Sequence, residues 1–326
     1  MSDRGMGSLV AGVDLGGTKV LASIVDAENR ILGRAKASTP ATQGGAAILA
    51  AVAGVVREAA VEANVELSDL KGIVVGSPGP LDPDHGVILF SANMNVRDFA
   101  LGPDLSRLLG PPVLLRNDVR VGGYGEFRLG AGKGKSNVLA AFVGTGIGGC
   151  LIVDGKVIAG STGNAGEIGH IMIKPGGPRC GCGRRGCLEA LASRSAIAKR
   201  IGKAHKAGRS TVLASKVDSK NDKLKSKELA AAYLSGDAVA VSEVHRAAHY
   251  LGLGLGSLIN VLGPELVIIG GGVTEALGVG YLDAIRASAW NQVLTNPGNK
   301  IQIVPAALGD DAGILGAALM AREAFC

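Results

Sequence analysis

The chain has 326 residues, of which 47% are hydrophobic and 19% are charged, and its formal net charge is +6. This composition is typical of a globular protein and excludes a disordered one, which would combine low hydrophobicity with a high net charge. The length allows one large domain or two ordinary ones, with enough interior for a core.

The distribution of basic and apolar residues disfavours three other classes of protein. The densest basic run, 216–227, lacks aromatic residues that could stack on bases, so we interpret it as solvated surface and expect no nucleic-acid partner. No stretch reaches the roughly 18 apolar residues of a membrane span. The segment 1–9 is short and polar and lacks the apolar stretch of an export signal. We therefore expect a cytoplasmic protein without a membrane partner.

The first part of the chain is predicted to alternate strands with a helix. Two apolar runs flank a glycine-rich turn near Gly16, which is typical of a hairpin. An Ala- and Val-rich stretch at helical spacing predicts a helix over 46–63. The predicted strands of this part lie at 9–13, 20–25, 30–37, 72–75, 87–90 and 113–115.

The second part opens with the same pattern. A strand at 137–143, a glycine-rich turn and a returning strand at 150–153 form a weak internal repeat of the first hairpin, which suggests two related lobes that face a cleft. We predict an N-terminal lobe of 1–117 joined by 306–326, and a C-terminal lobe of 118–305. The remaining predicted elements are helices at 193–206, 238–262 and 312–322 and strands at 266–269 and 301–304.

The strongest local signal is a cluster of three cysteines, Cys180, Cys182 and Cys187, separated largely by glycines and preceded by His170. Three thiolates and an imidazole complete a tetrahedral ligand set for Zn²⁺ and leave no open position for catalysis. We therefore predict a structural zinc site, with a chance cluster or a redox pair as alternatives. The spacing also fits a reducing compartment better than a disulfide framework.

Two glycine-rich turns, at 14–19 and 144–148, each lie between predicted strands. Their backbone amides, with the hydroxyls of Thr18 and Thr145, can cradle phosphate oxygens. Neither turn fits a P-loop or a dinucleotide fingerprint, and an ordinary hairpin is the alternative for either one alone. Their repetition, with the glycine run 270–272, predicts a nucleotide in the cleft. The predicted contacts are Asp14, Gly16, Gly17, Thr18, Lys19, Gly144, Thr145, Gly146, Gly148, Gly270, Gly271 and Gly272.

Two aspartates next to predicted strands are candidates for the chemistry. Asp14 is placed to organise Mg²⁺ near the phosphates, since this ion takes few protein carboxylates. Asp118 follows a strand at the kind of position where open α/β sheets bind ligands, although an Asp there could equally be a helix N-cap. As a base it would accept the proton of a sugar hydroxyl that attacks the γ-phosphorus, a step in which orientation matters more than basicity.

Two glutamates flank the cysteine cluster. Glu167 lies in the Gly-Asn-Ala-Gly-Glu-Ile-Gly-His segment 163–170, and Glu189 follows Cys187 by two residues. Carboxylates and imidazoles bind neighbouring sugar hydroxyls, so we predict a sugar pocket beside the cluster. The alternative is that both glutamates support the metal ligands. Both roles are compatible, because the second ring nitrogen of His170 would still face the pocket.

Together these motifs resemble the ROK family of repressors, sugar kinases and uncharacterised frames, within the actin-like ATPase superfamily. The resemblance covers nearly the whole chain, and its most specific part is Glu167-x-Gly-His followed by the cysteine motif 180–189. It implies an α/β, two-lobed, ribonuclease H-like fold with an interlobe cleft and a structural zinc loop. It also implies ATP with Mg²⁺, a sugar substrate, and a homodimer or homotetramer.

The resemblance also implies roles for particular residues. Asp118 would be the catalytic base, and the segment 163–170 looks most like that of bacterial glucokinases. The implied reaction is therefore ATP-dependent phosphorylation of glucose to glucose 6-phosphate. The implied zinc ligands are His170, Cys180, Cys182 and Cys187. The implied sugar contacts are Gly79, Asn93, Asn117, Asp118, Glu167, His170 and Glu189.

One departure from the family pattern follows Asp118. Family members usually continue with small helix formers and an Asn, whereas this chain has Arg120 and then Gly122, Gly123 and Gly125. Each interior glycine costs a helix about 1 kcal/mol relative to Ala, so we expect this helix to be looser or more closely packed than usual. Arg120, close to the predicted base, could alter the choice of sugar.

Several alternatives stay open. Fructokinases, N-acetylglucosamine, N-acetylmannosamine and allose kinases can share the zinc loop, and polyphosphate could replace ATP. A repressor of the same family would carry a helix-turn-helix domain ahead of the lobes, and the residues before Asp14 are too few for one. With Asp118 present as well, we expect an enzyme rather than a repressor or a sugar-sensing regulator without a DNA-binding domain.

Overall fold

The computed structural model describes residues 8–91, 93–217, 224–296 and 300–326. The chain forms two compact units. The first consists of Met1–Lys133, Ala159–Ala165 and Asp310–Cys326, and the second of Gly134–Ile158 and Gly166–Gly309. The lobe boundaries expected from the sequence, near 117 and 305, stay a prediction about domain organisation.

The first unit is built on a five-stranded sheet. Its order is β3-β2-β1-β4-β8, with β1, β2 and β3 antiparallel and β4 and β8 parallel to β1. The strands are β1 Leu9–Leu15, β2 Lys19–Val25, β3 Ile31–Ser38, β4 Leu70–Ser77 and β8 Val113–Asn117. A second sheet of three short strands consists of β5 Leu81–Asp82, β6 Val87–Ser91 and β7 Val96–Phe99.

Helices cover both faces of the five-stranded sheet because its strands alternate their side chains between two apolar faces. In β1, Ala11 and Val13 belong to the core that contains helices α1 and α2, whereas Val10 packs with residues of α3 and α9. The helices are α1 Gly45–Ala63, α2 Leu101–Leu109, α3 Asp118–Leu129 and α9 Asp311–Phe325, and a short 3₁₀ helix spans Leu67–Asp69.

The second unit repeats this sheet topology. Its sheet has the order β11-β10-β9-β12-β13. As in the first unit, three strands (β11, β10 and β9) are antiparallel, and two (β12 and β13) run parallel to β9. The strands are β9 Val138–Val143, β10 Ile147–Val153, β11 Lys156–Val157, β12 Leu266–Gly270 and β13 Gln302–Pro305. The internal repeat read from the two hairpins is therefore a repeat of the whole sheet.

The helices of the second unit pack around one apolar core, to which β9, β12 and α7 contribute buried residues. They are α4 Leu188–Ala192, α5 Arg194–Lys206, α6 Ser226–Leu234, α7 Ala238–Leu262 and α8 Gly272–Trp290, and 3₁₀ helices span Ile168–His170 and Ala214–Lys216. Among the described residues, no helix is both long and apolar enough to cross a membrane.

The glycines after Asp118 allow close packing of α3 on α9. A Cβ atom at Gly125 would collide with the carbonyl oxygen of Ala312, and one at Gly316 would collide with that of Val121. The backbones of α3 and α9 therefore come into close contact at points where one of the two helices has a glycine. The sequence left open whether this helix is looser or more closely packed than usual, and close packing is observed. This packing holds α3, which begins at Asp118, against α9.

Candidate active site and metal centre

The first glycine-rich turn connects β1 to β2 beside the start of α9. The turn is closed by the Gly16 amide, which donates to the Lys19 carbonyl at 2.9 Å. The Lys19 Nζ atom lies 2.8 Å from Asp310 Oδ1. Gly313, in the first turn of α9, lies against Asp14, since a Cβ atom built there would be 2.9 Å from the Asp14 Cγ atom. Asp14 and Lys19 are therefore brought together at a helix start.

Burial sets the acidity of Asp14. Its removal from water raises the pKa of the carboxyl above its ordinary value, while the Lys19 ammonium acts in the opposite direction and Asp310 adds to the rise. An acidic side chain is thus held in an unfavourable environment at the end of a strand. Such a placement is expected where a cation or a ligand completes the environment.

Asp118 is the first residue of α3, and the residue before it caps the helix. Asn117 Oδ1 accepts the Arg120 amide at 3.0 Å, which is the N-cap hydrogen bond. Asp118 Oδ1 accepts the amide of the adjacent Val119 at 2.8 Å. The alternative of Asp118 as N-cap is therefore wrong, because Asn117 has that role.

Asp14 and Asp118 lie at the same edge of the first sheet. Gly76 of β4 is the register partner of Asp14, and a Cβ atom built on Gly76 would lie 3.4 Å from the Asp118 Cα atom. The two aspartates thus flank one glycine at the carboxyl ends of parallel strands, where open α/β sheets place ligand-binding groups.

Two further predicted sugar contacts lie in this unit. Gly79 has φ +103°, and a Cβ atom there would collide with the Phe90 carbonyl oxygen, so the position requires glycine. Asn93 is exposed and lies beside the first turn, since a Cβ atom on Gly17 would be 3.2 Å from the Asn93 Cβ atom. Asn93 thus lies beside the predicted phosphate turn.

Arg120 joins α3 to the segment Ala159–Ala165. Its side chain is buried, with 9% exposure, and its Nη2 atom donates to the Gly163 carbonyl at 2.7 Å and the Ala165 carbonyl at 3.0 Å. The segment is also closed on itself by the Ala165 amide, which donates to the Ala159 carbonyl. Sequence reasoning noticed Arg120 as a departure but missed these partners, which are more than forty residues away.

The second glycine-rich turn connects β9 to β10 in the other unit. It is closed by the Gly144 amide, which donates to the Gly146 carbonyl at 2.9 Å, and Thr145 is exposed at its tip. Gly148 continues into β10. Gly270 ends β12 and Gly272 begins α8.

The glycine run reaches this second turn through Gly271. A Cβ atom on Gly271 would be 2.6 Å from the Val143 carbonyl oxygen, and its φ of +89° also favours glycine. The structure therefore brings 270–272 against the end of β9, where the second turn starts.

Arg194, which sequence reasoning missed, braces the second turn. Its Nη2 atom donates to Thr145 Oγ1 at 2.6 Å, and its backbone amide donates to the Gly144 carbonyl at 3.0 Å. Arg194 is the first residue of α5, whose N-cap is Ser193. The only sequence feature that could have drawn attention to it is its place at a helix start shortly after the cysteine motif.

Glu189 connects this turn to the cysteine cluster. One carboxylate oxygen, Oε2, accepts the Ile147 amide at 3.1 Å, and the other, Oε1, lies 3.6 Å from the Cys180 sulfur. Of the two roles expected for Glu189, this arrangement favours support of the metal ligands, and it leaves the sugar-binding role as a prediction.

The four predicted metal ligands converge. One ligand atom from each of His170, Cys180, Cys182 and Cys187 lies within 4.8 Å of all the others. The Cys182 and Cys187 sulfurs are 3.7 Å apart, as are the Cys180 sulfur and His170 Nδ1. A tetrahedral zinc ion with Zn–S bonds of about 2.3 Å separates two sulfurs by about 3.8 Å. The donor set and its spacing therefore fit zinc.

The three thiols differ in acidity. The Arg184 side chain, hydrogen-bonded to Cys182, lowers the pKa of that thiol to about 6. Burial raises the pKa of Cys180 and Cys187. Thiolates are the metal-binding form, so Cys182 offers a ligand that is already ionised at neutral pH, and binding would displace protons from the other two.

Glu167 and His170 lie on a segment fixed against β10. A Cβ atom on Gly169 would be 2.1 Å from the Ile147 carbonyl oxygen, and one on Gly166, whose φ is +93°, would be 2.6 Å from the Gly149 carbonyl oxygen. Glu167 is exposed and occupies the N-cap position of the 3₁₀ helix that ends at His170, without a side-chain cap hydrogen bond. The glycines of the 163–170 motif thus let Glu167 and His170, the two side chains predicted to be functional, lie next to the strand that follows the second turn.

Comparisons with known proteins identify the family of this chain. The family model described as "ROK family" matches residues 10–324. The chain belongs to the ROK family. A glucokinase of Halalkalibacterium halodurans is 35% identical to this ROK protein over 324 residues, which cover 99% of this chain and 96% of that one. An N-acetylmannosamine kinase of Yersinia pseudotuberculosis is 33% identical over 316 residues, 96% of this chain and 98% of that one.

Solved structures of ROK proteins share the fold. The crystal structure of a ROK family glucokinase from Streptomyces griseus in complex with glucose and AMPPNP matches with a TM-score of 0.82 and 35% identity, covering 97% of this chain and 100% of that chain. The family resemblance and the α/β fold class expected from the sequence are therefore confirmed. With these relatives, the ROK protein is a sugar kinase.

Proposed function

We propose that this ROK protein transfers the γ-phosphoryl group of ATP to glucose and forms glucose 6-phosphate. The observation that carries the proposal is the pair Asp14 and Asp118, which flank Gly76 at one edge of a sheet. Asn117 rather than Asp118 caps α3, so we assign the Asp118 carboxylate, at the first residue of that helix, to the substrate hydroxyl. The glucokinases among its relatives support glucose as that substrate.

Asp118 would act as the general base. Its carboxylate accepts the proton of the glucose 6-hydroxyl as that oxygen attacks the γ-phosphorus. The bond from the γ-phosphorus to the bridging oxygen breaks, and ADP leaves with the electron pair of that bond. Phosphoryl transfer has a loose transition state, so the main contribution of Asp118 is to orient the hydroxyl in line with the leaving group.

The sugar would be held by polar groups on rigid segments. Close backbone packing at Gly79 and Gly169 fixes the loops that carry the contacts, and the N-cap bond of Asn117 fixes its amide. With Nδ1 of His170 on the Cys180 side, Nε2 is the ring nitrogen left for a hydroxyl. The proposed sugar contacts are Gly79, Asn93, Asn117, Asp118, Glu167, His170 and Glu189.

The two glycine-rich turns would hold the nucleotide. Backbone amides of both turns and the hydroxyls of Thr18 and Thr145 would donate to phosphate oxygens. Lys19 and the glycines 270–272 complete the proposed nucleotide contacts. Mg²⁺ bound with ATP would neutralise phosphate charge, and Asp14 is the residue that would hold it or its waters.

The cysteine cluster would hold a structural zinc ion through His170, Cys180, Cys182 and Cys187. With four protein ligands the ion has no open position, so it contributes folding energy and no reaction step. The protein would be cytoplasmic, with a homodimer or homotetramer as its assembly and the lobes 1–117 with 306–326 and 118–305 as its domains.

Phosphorylation of N-acetylmannosamine is a second candidate function, because a kinase of that sugar is 33% identical over nearly the whole chain. Both activities would use the same base and metal ligands. They differ at the 2-position of the sugar, where one substrate carries a hydroxyl and the other an acetamido group.

Release of ADP from Mg-ATP across a panel of sugars tests the proposal. Glucose, mannose, fructose, N-acetylglucosamine and N-acetylmannosamine should give kcat/KM values that rank glucose first by at least about tenfold, since a site that reads a hydroxyl rejects analogues strongly. A preference for N-acetylmannosamine would replace the substrate and keep the mechanism. Absence of turnover with every sugar, from folded and zinc-loaded protein, would overturn the proposed reaction.

A further inference from the structure

Arg194 makes hydrogen bonds to one predicted nucleotide contact, Thr145, and to Ser226, which lies beside another. Its guanidinium donates through Nη2 to Thr145 Oγ1 at 2.6 Å and through Nη1 to Ser226 Oγ at 3.3 Å. Ser226 begins α6 and lies beside Gly272, since a Cβ atom on Gly272 would be 3.5 Å from the Ser226 Oγ atom. One side chain therefore connects the second turn to the segment next to the glycine run.

The direction of the first hydrogen bond fixes the role of the hydroxyl. A guanidinium has only donors, so Thr145 Oγ1 must accept the bond. The hydroxyl hydrogen of Thr145 consequently points away from Arg194. Thr145 is exposed at the tip of the turn, so its hydroxyl is oriented as a donor towards whatever binds there. The acceptors with which ATP would meet this turn are its phosphate oxygens.

The turn that carries Thr145 is held on both sides. The Arg194 amide donates to the Gly144 carbonyl, and the Glu189 carboxylate accepts the Ile147 amide. Glu189 is the last residue of the cysteine motif and lies in the first turn of α4, and Arg194 is the first residue of α5. Because the backbone of the turn is fixed at its two ends, the remaining freedom is that of the Thr145 side chain, which Arg194 restricts.

We propose that Arg194 is a positioning residue for the nucleotide, which orients the Thr145 hydroxyl as a hydrogen-bond donor to a phosphoryl oxygen of ATP. The proposal rests on the proposed kinase function, and it adds a residue to the phosphate-binding machinery. The positive charge of Arg194 would also lie near the phosphates of a bound nucleotide, so the test must separate the orientation of the hydroxyl from the effect of the charge.

A double-mutant cycle on Arg194 and Thr145 tests this role. The variants are Arg194→Met, Arg194→Lys, Thr145→Val and the double variant Arg194→Met with Thr145→Val. The readouts are the Kd of a non-hydrolysable Mg-ATP analogue, the KM values for ATP and for the sugar, and the melting temperature. Lys203→Met, on the exposed side of the same helix, removes one positive charge as a matched control.

Arg194→Met should weaken binding of the analogue about tenfold, the scale of one hydrogen bond to a charged group, and leave the sugar KM unchanged. In the Thr145→Val background the same substitution should have little further effect, because the oriented hydroxyl is already absent. Arg194→Lys should restore only part of the affinity, and Lys203→Met should retain all of it.

Three results would overturn the proposal while the kinase function stands. The first is a Kd for the analogue that is unchanged in Arg194→Met. The second is a double variant in which the effects of the two substitutions on the Kd simply add. The third is a wild-type Kd in Arg194→Lys, which would show that positive charge alone accounts for the effect. A drop in melting temperature with normal nucleotide affinity would assign Arg194 a purely structural role. Wild-type protein that neither binds the analogue nor turns over any sugar would instead refute the proposed function itself.

Discussion

Glu189 Oε2 accepts a hydrogen bond from the Ile147 amide at 3.1 Å. The other oxygen of the same carboxylate lies 3.6 Å from the sulfur of Cys180. Glu189 therefore bridges the cysteine cluster and the second glycine-rich turn within one unit. This bridge makes the proposed zinc site a support for the proposed phosphate site as well as for the sugar contacts on its own loop.

Glu189→Ala should therefore raise the KM for ATP as well as the KM for the sugar. Loss of the acceptor leaves the Ile147 amide without this partner, a cost of about 1–3 kcal/mol where the group is buried. Steady-state kinetics with each substrate varied in turn measure both effects. Glu189→Gln retains an amide oxygen for the Ile147 bond and should keep the KM for ATP near that of wild type. A sugar-only effect in Glu189→Ala would contradict the bridging role.

Asp118→Asn should abolish turnover and leave folding intact. The Asn oxygen can still accept the Val119 amide, so α3 keeps its first turn, but the side chain can no longer take up a proton. A general base contributes about 10²- to 10⁴-fold, and kcat should fall by that range. Glucose binding by calorimetry and the melting temperature serve as controls and should match wild type. Retention of kcat within a few-fold would remove Asp118 from the proposed mechanism.

Cys182→Ser should release the proposed zinc ion. Cys182 is the exposed cysteine of the cluster, so the substitution removes a thiolate without opening a buried cavity. Elemental analysis should find one zinc per chain in wild type and far less in the variant, with a lower melting temperature. Cys326→Ser is the matched control, because that cysteine is also exposed and lies outside the cluster. Equal metal content in all three proteins would refute the site.

Asp14→Asn should stabilise the free protein while it abolishes activity. Burial raises the pKa of Asp14 in the folded state, so the ionised carboxylate disfavours folding at neutral pH, and this penalty vanishes once the pH lies below both pKa values. The variant should melt at a higher temperature than wild type at pH 7, by about 2 °C for each kcal/mol relieved.

The difference in melting temperature should shrink as the pH is lowered through the raised pKa of Asp14, because the wild-type carboxyl then becomes protonated in the folded state. Differential scanning fluorimetry without nucleotide measures it. A variant that is less stable than wild type at pH 7 would show that the carboxylate is favourably paired in the fold, contrary to the expected direction of its pKa.

Arg120→Met should raise the sugar KM several-fold with little change in the KM for ATP. Arg120 holds the carbonyls of Gly163 and Ala165, and the proposed sugar contact Glu167 follows two residues later in the chain. Arg128→Met is the matched control on the same helix, since Arg128 pairs with Glu323 far from this segment. It should lower stability slightly, because a partly exposed ion pair contributes about 0–1 kcal/mol, and leave both KM values unchanged. Equal sugar kinetics in the two variants would exclude a specific role for Arg120.

Local patterns sufficed to predict the metal cluster and the repeated hairpins. The three cysteines lie within eight residues, 180–187, so glycine-rich spacing alone indicates that their sulfurs can meet. Strand, glycine turn and strand recur over short distances, and hairpin pairing is itself local. The helix 238–262 was predicted with the bounds that it has, because a long apolar period of 3.6 is a strong signal. The family motifs likewise consist of residues that lie close together in the sequence.

Other features of the site depended on residues that are distant in sequence. Arg120 bonds to Gly163, 43 residues away, and Arg194 bonds to Thr145, 49 residues away. No periodicity relates such positions, so nothing in the sequence pairs them. That Asn117 caps the helix, and Asp118 does not, follows from the backbone at the strand end, where Asn117 is still extended with φ −65° and ψ 134°. The residue types and the local turns are properties of the sequence, whereas the partners of Arg120, Arg194 and Glu189 follow only from packing, since folding brings together side chains that the chain separates.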